Sequence, residues 1–238
     1  MDSLNPITIG DVEQFSIVDF PNKIAAVVFM QGCPWRCPFC YNLSLQKIGG
    51  ASESGWTFET LKCFLQRRKK VLDAVVFSGG EPLVQEGLDK AIDEVKSLGY
   101  EIGLHTGGFN PIMLKKVVNK LDWVGLDIKA PFDAQKYKKA TGCFDKIENI
   151  IESLKLLIDN GIHFECRTTC DPRILNVEDI YDIAKSLKDF GVKEYYLQKY
   201  RPIESDKNTT DEMCESLISD KSLIEFLHNT FEIFDIRK

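Results

Sequence analysis

The chain has 238 residues, a net charge of −6, and 44% hydrophobic against 28% charged residues. That balance predicts a globular protein with chain enough for one sizeable core, and it argues against a broad basic face for nucleic acid. The basic run Arg67 to Lys70 reads as the solvated end of a helix, and the longest apolar run, Ile24 to Met30, falls well short of the roughly 20 residues a membrane helix needs. The first ten residues carry no charged and apolar leader pattern, so the expected compartment is a reducing cytoplasm, where thiols stay free to bind metal.

In chain order, apolar strand-like runs alternate with helix-period stretches. The strands are expected at Ile24 to Met30, Ala74 to Ser78, Glu101 to Thr106, Trp123 to Lys129, His163 to Thr169 and Glu194 to Tyr200. Helices are expected at Thr57 to Leu72, at 87–99 with Leu88, Ile92, Val95 and Leu98 on one face, and at Pro111 to Asn119, Lys146 to Asn160 and Val177 to Phe190. Gly99, Gly161 and Gly191 each stand between a helix and a strand, the usual C-cap position. Six strand–helix units imply a parallel sheet covered on both faces. The polar and Gly-rich residues all fall at the C-terminal ends of these strands, which points to a site at a barrel mouth. Six units rather than eight imply a partial (β/α)6 barrel, open on one side. A single domain over 1–238 is expected, with its core at about 15–202. Residues 203–238 read as a helical extension whose closing FEIFDIRK fits a helix or a short strand equally.

The stretch QGCPWRCPFCYN packs Cys33, Cys37 and Cys40 into eight residues, with no fourth cysteine or histidine to close a zinc site. Cys37 and Cys40 could form a thioredoxin-like pair, but that leaves Cys33 unexplained. A [4Fe–4S] cluster on three thiolates keeps one iron open, as a catalytic metal needs. Cys63, Cys143, Cys166, Cys170 and Cys214 read as ordinary thiols, an auxiliary cluster being the alternative. After the second strand comes SGGEP, where Gly79 and Gly80 allow close backbone approach to a ligand, Glu81 favours an ammonium and Pro82 stiffens the turn. Asp127 and Lys129, two apart on a strand, face one side and need partners or a ligand there. Arg167, His105, Lys199 and Arg201 stand at other strand ends as candidate ligand or ion-pair groups, and Trp35 and Phe39 flank the cysteines to exclude water.

The Cys33-x3-Cys37-x2-Cys40 spacing joined to SGGEP resembles the radical S-adenosylmethionine superfamily. With VGLDIKAP, FECRTTCDP and YLQKYRP following in order, it is similar to the anaerobic ribonucleotide-reductase activating proteins among the glycyl-radical-enzyme activating enzymes, over about Phe15 to Pro202. The resemblance implies a [4Fe–4S] cluster on Cys33, Cys37 and Cys40. It also implies S-adenosylmethionine held by Phe39, Gly79, Gly80, Glu81, Asp127, Lys129 and Arg167, with His105 and Thr106 at the third strand's end. The implied chemistry is reductive cleavage to a 5′-deoxyadenosyl radical, which removes hydrogen from a glycine of a partner glycyl-radical enzyme. Flavodoxin or ferredoxin would supply the electron. Two positions depart from the pattern: Tyr41-Asn42 stands for His-Asn, and Thr106-Gly107-Gly108 for Thr-Asn-Gly. Two competing expectations are a radical enzyme acting on a small molecule, as 7-carboxy-7-deazaguanine synthase does, and a non-enzymatic thiol or metal-binding module.

Overall fold

A computed structural model describes residues 7–49, 54–143 and 146–238. Eight strands form one sheet in the order β1 to β8. They are β1 (Ile9–Ser16), β2 (Ala25–Met30), β3 (Ala74–Gly79), β4 (Glu101–Thr106), β5 (Trp123–Asp127), β6 (Phe164–Cys170), β7 (Glu194–Lys199) and β8 (Ile233–Arg237). From β2 to β8 every pairing is parallel, and β1 alone runs antiparallel, on β2. The helices are α1 (Phe58–Arg68), α2 (Leu88–Ser97), α3 (Pro111–Val117), α4 (Ala134–Thr141), α5 (Ile147–Asp159), α6 (Val177–Asp189), α7 (Asp211–Ile218) and α8 (Lys221–Thr230).

The six expected strands are β2 to β7, and the open, mostly parallel architecture is the one their alternation with helices implies. Strand pairing also reaches beyond both expected bounds of the core. The antiparallel β1 opens the chain, and the undecided FEIFDIRK ends in β8, hydrogen-bonded to β7. The C-terminal segment is therefore two helices and a strand of the sheet. Helix α4 was not anticipated, because its sequence AQKYKKAT is short and mostly polar.

Local chemistry starts the helices where the sequence places them. Thr57 and Thr60 form a reciprocal capping box before α1, and Asn176 and Asp179 do so before α6. Asn110, Asp133, Thr210 and Asp220 each cap the helix that follows.

Alternation along the strands sorts two apolar layers. Ala26, Val28, Val75 and Phe77 join the large core shared with the helices. Ala25, Val27, Ala74 and Val76 face the other way, where Phe20 from the β1–β2 loop and Trp123 of β5 join them. The Phe20 and Trp123 rings lie 5.6 Å apart. This second cluster fills one end of the concave face and leaves the C-terminal ends of the strands for polar groups.

The edge strand is fastened by charge. Glu165 on β6 is 1% exposed, and Arg237 on β8 reaches across β7 to pair with both its oxygens, one at 2.8 Å. The Arg237 guanidinium lies 3.9 Å from the Tyr196 ring centre. Arg237→Ala leaves a buried carboxylate without its cation. We expect a loss of about 1–3 kcal/mol, discounted for the partial exposure of the arginine, in urea denaturation, with faster amide exchange in β8 than elsewhere.

Candidate active site

A cavity of about 550 Å³ opens at the C-terminal ends of the strands, within the roughly 300–1,000 Å³ range of small-ligand sites. Cys33, Cys37 and Cys40 line it beside the Gly79–Gly80–Glu81 turn, His105, Thr106, Asp127, Lys129 and Arg167. The structure thus brings the residues expected to hold the cluster and the cofactor, Phe39 included, to one cavity.

The cysteine loop leaves β2 and is anchored to β3 by backbone. Gly80 N–H donates to the Met30 carbonyl and Glu81 N–H to the Gly32 carbonyl, both at 2.9 Å. A Cβ on Gly80 would lie 2.2 Å from the Gly32 oxygen, and one on Gly79 would lie 2.3 Å from the Met30 nitrogen. These glycines therefore permit close approach of two strand ends to each other, where the sequence suggested approach to a ligand. Glu81 also has an internal task. Its carboxylate, 2% exposed, accepts from the Thr106 hydroxyl, from Gly107 N–H at 2.9 Å and from Leu83 N–H at 3.1 Å. Burial pushes its pKa up and these three donors oppose the shift. Thr106 closes the turn by also accepting from Gly108 N–H at 3.0 Å.

At position 107, where the resembled pattern has Asn, the space is taken. A Cβ there would lie 2.0 Å from the Trp35 ring. Trp35 is 2% exposed, edge-on to Phe109 at 6.1 Å, with Lys129 Nζ 5.2 Å from its ring centre. The same ammonium lies 5.8 Å from the Phe39 ring centre. Burial lowers the Lys129 pKa, but Asp127 and the Cys37 and Cys33 sulfurs outweigh it and hold the group well above its usual value.

Asp127 is the hub of the charges. Arg167 bonds its Oδ1 through Nε at 2.9 Å and Nη2 at 2.8 Å, while Lys129 Nζ lies 3.5 Å from Oδ2. Burial opposes ionisation of Asp127, yet the two cations keep its pKa low. A Cβ on Gly125 would lie 2.8 Å from the Arg167 guanidinium, so that glycine makes room for the arginine.

His105 is held by protein on both nitrogens. Nε2 lies 3.0 Å from the Asp19 carbonyl, which only accepts, so Nε2 carries the proton. Nδ1 then accepts from the Ser78 hydroxyl at 3.4 Å. Burial, reinforced by Arg167, lowers its pKa well below 6.5.

Long-range braces that sequence reasoning missed surround the cysteine loop. Arg173 pairs with Asp171 at 2.6 Å and Asp206 at 2.7 Å, stacks on Tyr200, and donates to the Pro38 carbonyl at 3.2 Å. The Arg201 main-chain N–H donates to the Tyr41 hydroxyl at 2.8 Å. Asp19, from the β1–β2 loop, also lines the cavity. Arg173 follows the quoted FECRTTCDP, but no local pattern ties it to Pro38.

The Radical SAM superfamily pattern matches residues 27–185. The chain belongs to this superfamily. A Methanocaldococcus jannaschii protein, named as a candidate glycyl-radical enzyme activating enzyme, is 32% identical over 94% of this chain and 98% of its own length. Pyruvate formate-lyase-activating enzyme from Clostridium pasteurianum is 28% identical over the same shares. Streptococcus suis SuiB bound to S-adenosylmethionine shares the fold, with a TM-score of 0.63 and 14% identity over 87% of this chain; the match spans 48% of that structure. The radical SAM protein described here is an enzyme whose cofactors are a [4Fe–4S] cluster and S-adenosylmethionine.

The chain's residues fit that group. The donors are three soft thiols on one cavity wall. Burial pushes the Cys33 thiol up to about 12 and Cys37 to about 11, so metal must displace their protons. Cys166 and Cys170 lie in the core with no exposure, and Cys63 and Cys143 are exposed.

Two outcomes follow. Gly107→Ala forces the Trp35 ring, and with it the cysteine loop, to move; overpacking of this kind costs about 1–3 kcal/mol. Iron bound per chain should fall, measured after anaerobic reconstitution. Second, unfolded His105 takes up a proton near pH 6.5, and the folded residue does so only well below that. Its contribution to stability is present above about pH 6.5 and is lost as pH falls toward the folded value. The gap in unfolding free energy between His105→Gln and the unmodified chain should therefore shift in favour of the variant between pH 7 and pH 5.

Proposed function

We propose that this enzyme installs a radical on a glycine of a partner glycyl-radical enzyme, and that the partner is anaerobic ribonucleotide reductase, with flavodoxin or ferredoxin as reductant. The observation carrying this reading is the match over 94% of this chain and 98% of each relative's length to proteins named as activating enzymes. An unclosed sheet, with β1 and β8 at its two ends, supports it by leaving lateral access for a polypeptide.

In this reading Cys33, Cys37 and Cys40 hold the cluster. The cluster, when bound, supplies the electron that cleaves S-adenosylmethionine to the 5′-deoxyadenosyl radical that takes the glycine hydrogen. Trp35 and Phe39, both nearly fully buried, exclude water from the cavity beside the cysteines. Asp127, Lys129 and Arg167 form a prearranged charged floor that orients the polar groups of S-adenosylmethionine. Gly79, Gly80, Glu81 and Thr106 hold the two loops that border that floor. His105, with both nitrogens engaged, stiffens the floor it lines.

The test is anaerobic. The reduced, reconstituted enzyme is mixed with S-adenosylmethionine and an anaerobic ribonucleotide reductase from the same organism, and the reductase is examined by electron paramagnetic resonance. A glycyl doublet is expected, together with 5′-deoxyadenosine. Cys37→Ala should lose iron and form no 5′-deoxyadenosine. Product without a doublet would discard this partner and favour a small-molecule substrate. No product at all, where a control enzyme turns over, would discard the radical reading.

A further inference from the structure

Cys37 and Cys40 flank a short turn, Pro38-Phe39, closed by the Cys40 N–H donating to the Cys37 carbonyl at 3.1 Å. Arg173 Nη2 donates to the Pro38 carbonyl inside that turn at 3.2 Å. Arg173 is not itself part of the cavity lining, so it reaches the cysteines from behind the wall they form.

The guanidinium is pinned from several sides. Nε bonds Asp171 Oδ1 at 2.9 Å, Nη2 bonds Asp171 Oδ2 at 2.6 Å, and Nη1 bonds Asp206 at 2.7 Å. Nη2 also donates to the Tyr200 hydroxyl at 2.9 Å. Asp171 follows β6 and Asp206 lies in the segment after β7, so one side chain ties two strand exits to the cysteine loop. The Asp171 side chain has no exposure, and that of Asp206 is 4% exposed. One carboxylate would hold the guanidinium in place. Burying a second beside it adds a desolvation cost and gives the trio a net negative charge, set directly behind the turn that carries two cluster ligands. A brace alone does not need that charge.

We propose that Arg173 is a positioning residue for the iron–sulfur cluster: its pinned fork holds the Cys37–Cys40 turn in shape, and the net charge it shares with Asp171 and Asp206 tunes the cluster's reduction potential. Reduction adds one negative charge to the cluster, so a fixed cation nearby raises the potential and a fixed carboxylate lowers it. Arg173 and Asp206 therefore act in opposite directions on the same quantity. The proposal needs the superfamily's cluster but neither the partner nor the hydrogen abstraction assigned above.

The test is an anaerobic potentiometric titration of the cluster-loaded enzyme, read by the paramagnetic resonance of the reduced cluster, with thermal midpoints compared to confirm folding. Arg173→Gln should move the midpoint to lower potential and Asp206→Asn to higher. Each shift should be about threefold in the one-electron equilibrium, roughly 30 mV at about 59 mV per tenfold. Arg173→Lys keeps the charge and should stay near the unmodified midpoint. Having lost the planar fork, it should release iron to a chelator several-fold faster. Asp206→Asn retains the arginine and its Asp171 partner, so with Arg173→Lys it decides the question should Arg173→Gln not fold. An unmoved midpoint in Asp206→Asn would overturn the proposal. So would shifts of Arg173→Gln and Asp206→Asn in the same direction, which mark lost packing rather than charge. Iron release from Arg173→Lys no faster than from the unmodified chain would overturn the positioning role. The titration contains neither S-adenosylmethionine nor the reductase, so this inference and the proposed function can fail separately.

Discussion

Glu81 ties the functional end of this fold together through a carboxylate that water does not reach. Its backbone N–H holds the root of the cysteine loop at Gly32, and its side chain holds Leu83, Thr106 and Gly107. One residue thus joins the ends of β2, β3 and β4. Burying a carboxylate is costly unless its lone pairs are met, and here three donors meet them. Without that joint, the root of the loop bearing three cysteines would lose its tie to β4, and the braces at Pro38 and Tyr41 would hold only its far part. The glycines before it matter for the same reason: any side chain at Gly80 would push the β2 exit away from β3.

How far the sequence discloses this depends on the range of each interaction. Strands β2 to β7 and the helices between them, α4 excepted, follow from local apolar runs and glycine stops. The three cysteines and the SGGEP turn are compact in sequence, so their chemistry reads directly. Strand β1 mixes apolar with exposed polar residues, and β8 has five residues, so neither gives a clear local signal. Among site residues, position was legible and task was not. Glu81 meets a partner 25 residues away, Glu165 one 72 away, and Arg201 one 160 away. No spacing rule covers such distances, and each of these contacts does something its local motif did not indicate.

The Trp35–Gly107 contact is one instance where a departure from a pattern has a physical counterpart elsewhere. Removing the side chain at 107 leaves a space, and an indole from between the first two cysteines fills it. The ring then lies beside the Lys129 ammonium, which gains cation–π contact with Trp35 and Phe39. A substitution that looks like the loss of a polar contact thereby becomes a packing contact that braces the cysteine loop from below.

The same logic governs charge across the cavity. Ionised groups inside a barrel persist when each has a partner or a ligand. Asp127 settles two cations at the floor, and Glu165, Asp211 and Glu215 settle three more along β7 and β8 from outside the lining. The acids that neutralise the far wall lie on β6 and α7, so α7 is part of the site's electrostatics although it contributes nothing to the cavity surface. That wall exists because β8 adds to the sheet: without it Arg237 and Lys238 would not face β7, and Glu165 would be buried uncompensated. The C-terminal strand therefore sets the charge of the open side, and with it the kind of surface that can approach the cysteines.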